Sequence, residues 1–435
     1  MTSTPSSALL PHDCRTGPNE TRMGRWSLSA LASVFGTPLY VYDAVTLRKN
    51  AREVQEAFAP LGARVSFAAK ACSTIGVLRT LQRCGIDIDV VSEGEMVAAI
   101  RAGFQPEQIH LHGNCKSDHE LQFATRVGIR AIVVDNADEL ARLASLPRRL
   151  EQSINVMVRM SLPLEAETHP WLQTSGVGSK FGVMAESDEE NQVLRWLAKD
   201  SGVRFIGLHT HLGSQIEDAD IYRRAACDMA RVAARFAEHG LRSEEVSLGG
   251  GWAIAYSDED ATLSSRAVAN ALAEGSTGLS GVRLAVEPGR ALVGNAAVAL
   301  YRVSSVKVRQ SGRIVAVDGG MGDNPRPALY GARYTAFLPD RAMDQPVGRA
   351  DIVGRYCEAG DVLARGVPLP ALSVGDIICV PVSGAYQLSM ANSYNLVPPP
   401  ASVIVDGRDA RLMTRRATIG DMFAREVGYS DWKLD

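Results

Sequence analysis

Between about residues 46 and 300 one pattern recurs: a short apolar run, a polar or glycine break, then a longer stretch with apolar residues three or four apart. Eight runs read as strands: "VSFAAK", "IDIDVVS", "QIHLHGN", "AIVVDN", "NVMVRM", "FIGLHTHLG", "EVSLGGG" and "LAVEPGR". Stretches between them, such as "EGEMVAAIRAGF", "NADELARLASL" and "YRRAACDMARVAARFAEHG", have the helical period. Strands alternating with helices predict a parallel sheet, and eight such units predict a closed (β/α)8 barrel, with an open doubly wound sheet as the competing arrangement.

After residue 300 the texture changes. "YRVSSVKVRQ", "GRIVAVDGG", "DIICVPVSG" and "ASVIVDGRDARLMTRR" alternate with turn signals and little helix, which predicts an antiparallel β-domain. "TPLYVYDA" (Thr37 to Ala44) is a further strand that can join that sheet. The expected fold is α/β: a parallel (β/α)8 barrel plus a C-terminal antiparallel β-domain. The expected division is an N-terminal tail and strand over 1–45, the barrel over 46–300 and the β-domain over 301–435. The first twenty residues read as a mobile polar tail without a clear signal peptide.

A barrel collects its functional side chains at the C-terminal ends of its strands. Polar residues stand at those ends here: Lys70, Asp89 with Ser92, Asn114, Asp135, Arg159, His209 with His211, Gly249 to Gly251, and Glu287 to Arg290.

Composition narrows the classes. With 46% hydrophobic and 22% charged residues the chain is ordinary for a globular protein. A net charge of -3 gives no bulk attraction to nucleic acid or to a membrane surface. No apolar run approaches the roughly 20 residues of a membrane helix. The seven cysteines are scattered, odd in number and not at metal-ligand spacing, which fits free thiols in a reducing cytoplasm and no bound metal.

Lys70 ends the first run among small neighbours, Ala69, Ala71 and Cys72. In a barrel mouth, partly buried, it is a usable nucleophile or Schiff-base former; as a surface residue it only snorkels. "LGGGW" lets backbone N–H groups close around a phosphate, or is a plain turn. "HTHLGSQ" sets an imidazole beside a serine hydroxyl, or supplies structural histidines. "EPGR" sets a carboxylate and a guanidinium on one turn, or forms a surface ion pair. Together these are the parts that pyridoxal 5'-phosphate (PLP) requires: amine, phosphate cradle, stacking imidazole and a carboxylate for the pyridine nitrogen.

The chain resembles the alanine-racemase-fold PLP-dependent decarboxylases, and within them the diaminopimelate decarboxylases. The likeness runs from "FGTPLYVYD" almost to the C-terminus, through "FAAKAC", "DVVSEGEM", "HLHGNCKS", "SKFGV", "HTHLGSQI", "LGGGW", "VEPGRALVG", "VDGGMGDNPRPALYGARY", "CEAGD" and "GAYQLSMANSYN". By this resemblance Lys70 is the Schiff-base lysine, His211 stacks on the cofactor ring, and Asp89 is a carboxylate near it. Ser214, Gly250, Gly251, Gly289, Arg290 and Tyr386 contact the cofactor, and Glu287 partners the pyridine nitrogen. Arg290, Arg326, Tyr330, Glu358 and Tyr386 bind substrate, and Cys357 donates a proton. The "CEAGD" segment is implied to enter a partner subunit's site in a homodimer. Phe67, Cys72 and Glu93 depart from the family's usual tyrosine, asparagine and glycine.

The residues also argue for the substrate directly. Diaminopimelate has a second amino-acid end, and two arginines plus Glu358 suit its carboxylate and ammonium. Cys357, flanked by acid residues, suits a protonated donor. The implied reaction is decarboxylation of meso-2,6-diaminopimelate to L-lysine. The alternatives are a related decarboxylase acting on D-ornithine, D-lysine or a specialised intermediate, a racemase on the same barrel, or an inactive relative.

Overall fold

The computed structural model describes residues 5–146, 153–164, 174–176, 178–199, 202–310 and 312–427. The chain forms two compact units, one from residues 47–255 and 259–294, the other from residues 1–46, 256–258 and 295–435.

Among the described residues of the first unit, eight parallel strands close on themselves: β1 (Arg64–Ala68), β2 (Asp87–Val90), β3 (Ile109–Leu111), β4 (Ala131–Val134), β5 (Ile154–Ser161), β6 (Val203–His209), β7 (Glu245–Ser247) and β8 (Arg283–Val286). The β8–β1 and β4–β5 pairings complete the ring, so the barrel prevails over the open sheet. Polar caps start the helices between strands. Ser92 accepts from the Glu95 N–H ahead of α1 (Glu93–Ala102), and Ser117 forms a reciprocal pair with Glu120 ahead of α2 (Asp118–Val127). Left-handed glycines, Gly103 and Gly128, end both.

Strand alternation puts Asp87 and Asp89, His110 and His112, and Glu245 and Ser247 each on one face of the chain, and their contacts place that face inside the barrel. At the N-terminal end Arg64 pairs with Asp87 and with Glu245 (3.2 Å), and Arg130 meets Glu245 at 2.8 Å. His110 stands between Glu245 (3.6 Å) and Asp89 (3.4 Å). The barrel floor is thus a buried network of opposite charges, each offsetting its neighbour's desolvation. Asp89 and the layer beyond it belong to the site.

The second unit is a largely antiparallel sheet in the order 362–369, 348–353, 312–317, 297–309, 39–43, 401–406, 409–414. Two pairings depart from the expected antiparallel pattern: 39–43 runs parallel to 401–406, and 312–317 runs parallel to 348–353. Both join strands far apart or widely separated along the chain, where no tight hairpin fixes the direction. The N-terminal expectation is corrected too. Residues 14–27 form a three-stranded antiparallel meander, followed by a helix at Leu28–Phe35. Leu10, Cys14, Met23, Leu28 and Leu31 are buried with Val41, Val298 and Phe337, and this burial orders a segment whose composition reads as polar. No helix among the described residues is long and apolar enough to cross a membrane.

Candidate active site

A cavity of about 340 Å³ opens among the C-terminal strand ends of the barrel, lined by Lys70, Asp89, His112, Arg159, His209, His211, Phe181 and Glu287 among others. Its size is that of a small-molecule site.

Lys70 lies in a one-turn 3-10 helix, Ala69–Ala71, directly after β1. Ala69, Ala71 and Cys72 are buried, so the small residues pack inward while the amine lines the cavity. Lys70 is exposed rather than partly buried as the sequence reading expects. The turn carries the side chain past the last strand residue, beyond the packed interior.

Glu287 follows β8. Its carboxylate accepts from His209 Nε2 at 3.0 Å and from Ser247 Oγ at 2.5 Å. Burial alone would raise its pKa; the facing His209 and His112 imidazoles outweigh burial and the repulsion of Asp89, and hold it below the ordinary carboxylate range. Burial pushes the His209 imidazole down to about 4 against the pull of Glu287, so the ring is neutral and donates its Nε2 proton. Because 4 lies below the imidazole's ordinary 6.5, this group contributes stability fully above about pH 6.5 and loses it as pH falls through about 4. The thermal midpoint is expected to fall across that window, and His209→Asn, which keeps a donor for Glu287, is expected to flatten the fall.

Asp89 accepts from Ser66 Oγ at 2.7 Å and faces His110 and His112. Burial opposes its ionisation, yet the two imidazoles hold it well below the ordinary range. Arg159, on β5, is a buried guanidinium stacked 4.5 Å over the Phe181 ring, and burial lowers its pKa.

The glycine loop after β7 stands behind His211, which lines the cavity. Gly250 N–H donates to His211 Nδ1 at 3.3 Å, which leaves the proton of the neutral ring on Nε2. Burial, with the cations Lys70 and Arg159 nearby, holds His211 well below the usual imidazole range. A Cβ on Gly250 would lie 2.1 Å from the Glu287 carbonyl oxygen, and one on Gly251 (φ +98) 1.9 Å from that of Gly213. These glycines are therefore required by close backbone approach. Gly250→Ala is expected to weaken retention of a phosphate-bearing ligand at least tenfold, read as cofactor lost on dialysis. Ser214 Oγ accepts from Arg290 Nε at 3.1 Å, joining the serine loop to the short helix Arg290–Val293, which Gly289 precedes.

The remaining expected residues lie on the second unit, where three loops converge. Asp361 is buried and accepts from the Met321 N–H at 2.6 Å and the Tyr356 N–H at 2.8 Å. Cys357 and Glu358 are exposed between these anchors. The Cys357 N–H donates to Asn395 Oδ1 at 3.2 Å, and Glu358 accepts from the Tyr394 hydroxyl at 2.5 Å. Arg326 and Tyr330 begin and end one short helix, with Arg326 buried and Tyr330 half-buried. Tyr386 has positive φ (56°) and is also half-buried.

His112 and Arg159, which line the cavity, and Ser247, which holds Glu287 from behind it, have no role assigned from the sequence. His112 was signalled by the alternation in "HLH", which turns His110 and His112 the same way. Arg159 was visible as a strand-end cation but had no partner in sequence. Ser247 sits on the strand itself, and nothing local marks it as a donor to Glu287.

The cavity's demands match a polar aromatic ligand. Asp89 Oδ2, His112 Nε2 and His209 Nδ1 are buried without a hydrogen-bond partner. An amine, an ionised carboxylate, a neutral imidazole and a glycine-walled pocket line or adjoin the same space. These residues fit PLP.

The comparisons agree. Residues 45–294 match the model of the pyridoxal-dependent decarboxylase family's pyridoxal binding domain. The chain belongs to this family. Diaminopimelate decarboxylase from Bacillus subtilis (strain 168) is 38% identical over 412 residues, covering 92% of this chain and 93% of the relative. The enzyme of that name from Actinosynnema pretiosum subsp. auranticum is 39% identical over 438 residues, 98% of each chain. The crystal structure of diaminopimelate decarboxylase from M. jannaschii in co-complex with L-lysine superposes with TM-score 0.89 at 28% identity, covering 96% of this chain and 98% of that one. Family membership makes PLP the cofactor and the chain a decarboxylase.

Proposed function

We infer that the chain decarboxylates meso-2,6-diaminopimelate to L-lysine and CO2. The observation that carries this reading is the ionised, half-buried Glu287 lining one cavity with the Lys70 amine, in a chain whose relatives of that name match over nearly its whole length.

PLP, when bound, supplies the electron sink for the pair released as the α-carboxylate leaves. Lys70 is the amine that holds the cofactor. Glu287, fixed by His209 and Ser247, keeps a proton on the ring nitrogen. His211 offers a neutral flat face, and Asp89 orders the imidazoles around the ring. Ser214, Gly250, Gly251 and Tyr386 hold the phosphate, with Gly289 and Arg290 also against the cofactor. The Cys357 thiol gives a proton to the carbon that loses its carboxylate. Arg290 and Arg326 bind the carboxylate of the unreacting end, with Tyr330 beside them, and Glu358 binds its ammonium.

The test is a substrate panel with CO2 and amine products followed. The meso-diaminopimelate kcat/KM is expected to exceed those for D-lysine and D-ornithine by roughly 10²-fold or more, because the latter leave a buried arginine unanswered. Preference for either mono-carboxylate contradicts the reading.

The exposed, anchored Cys357–Glu358 segment also supports a homodimer in which it completes the site of a second copy. Mixing inactive Lys70→Ala and Cys357→Ala proteins through a dissociating step then restores about a quarter of wild-type activity, since half the dimers carry one intact site. No recovery contradicts the shared site. The free thiols Cys14, Cys72, Cys84, Cys115, Cys227, Cys357 and Cys379 support a reducing cytoplasm.

A further inference from the structure

Arg326 is 3% exposed, and its charge is answered by no described carboxylate. Its neighbours are two tyrosines. The guanidinium carbon lies 4.5 Å from the centroid of the Tyr256 ring and 5.6 Å from that of Tyr334. The two rings meet edge-on, centroids 5.2 Å apart at 80°. Arg326 Nη1 donates to the Tyr334 hydroxyl, and its Nε is buried with no partner. The backbone is fixed as well: the Arg326 N–H donates to Asn324 Oδ1 at 3.3 Å, and a left-handed Gly331 closes the helix that Arg326 opens.

A desolvated cation is costly unless something opposite faces it. Protein carboxylates are the usual answer, and they would fill the guanidinium fork. Tyrosine faces attract the cation, and neutral hydroxyls hold the guanidinium plane without cancelling its charge. The clamp therefore orients the charge and leaves it unneutralised.

We propose that Tyr256 and Tyr334 are positioning residues that set selectivity, by clamping Arg326 so that only a ligand with a carboxylate on its unreacting end satisfies it. This rests on the reading above that Arg326 binds that carboxylate. The carboxylate survives the reaction and is the one carried by L-lysine. Cadaverine is L-lysine without it, so this ligand pair isolates the contribution of the clamp.

The experiment measures competitive inhibition of the holoenzyme by L-lysine and by cadaverine, for wild type, Tyr334→Phe, Tyr256→Leu and Arg326→Met. Both tyrosine variants are expected to raise the inhibition constant for L-lysine about tenfold, as for loss of a charged hydrogen bond or a cation–π contact, and to leave that for cadaverine within twofold. The KM for meso-diaminopimelate rises with it, while kcat moves less. Equal weakening of both ligands means general loosening and overturns the proposal. So does an unchanged L-lysine constant in both tyrosine variants while Arg326→Met raises it. If Arg326→Met leaves the L-lysine constant unchanged, the carboxylate assignment itself falls and the clamp falls with it.

Discussion

Lys70→Ala is expected to lower kcat for meso-2,6-diaminopimelate by roughly 10⁴-fold or more, since covalent attachment of the cofactor has no substitute among the lining residues. The holoenzyme's visible absorption band is expected to shift or vanish with it. Lys70 is exposed and sits in a turn whose packing comes from Ala69, Ala71 and Cys72. Removing the amine therefore leaves the core intact, and the thermal midpoint of the apoprotein should stay close to wild type. A large kinetic loss without a stability loss marks a chemical role. Activity within tenfold of wild type would mean that another amine serves, and the site would have to be reassigned.

Glu287→Gln is expected to lower kcat by roughly 10²–10³-fold, the size of effect that follows loss of one preorganised charge at a reacting centre. The substitution preserves shape and can still accept from His209 or Ser247. What it removes is the negative charge that two imidazoles maintain against burial. Without it the ring nitrogen has no anionic partner and the electron sink weakens. The effect should fall on kcat more than on KM, and cofactor retention should change less than in Gly250→Ala. A variant with full kcat would show that the protonation state of the ring nitrogen does not depend on this residue.

The barrel was legible in the chain because each strand announces itself twice, by a short apolar run and by a polar residue where the run stops. Lys70, Asp89, His211 and Glu287 were read from that rule, and they meet in or beside one cavity because the closed sheet brings every strand end to the same face. The rule does not reach a side chain on a strand: Ser247 meets Glu287 across a single strand pairing, while His112, just past β3, faces Glu287 from three strands away, and register decides which residues meet. The meander at residues 14–27 was hidden for a different reason. Its strands are two or three residues long, and the core that buries its apolar residues, Cys14 and Met23 among them, is completed by partners from distant parts of the chain. The parallel pairings of the second unit have the same cause: direction is a tertiary property, invisible to alternation. Tyr256 follows the glycine loop closely in sequence, yet clusters with the second unit, where its ring faces Arg326. No local pattern marks it.

The most direct measurement of the central claim is chemical trapping. The holoenzyme is reduced with borohydride, which converts the carbon–nitrogen link to the cofactor into a stable secondary amine, then digested and its peptides weighed. The pyridoxyl mass is expected on the peptide containing Lys70 and nowhere else. Finding it on a different lysine, or on none in a preparation that decarboxylates meso-2,6-diaminopimelate, would contradict the account.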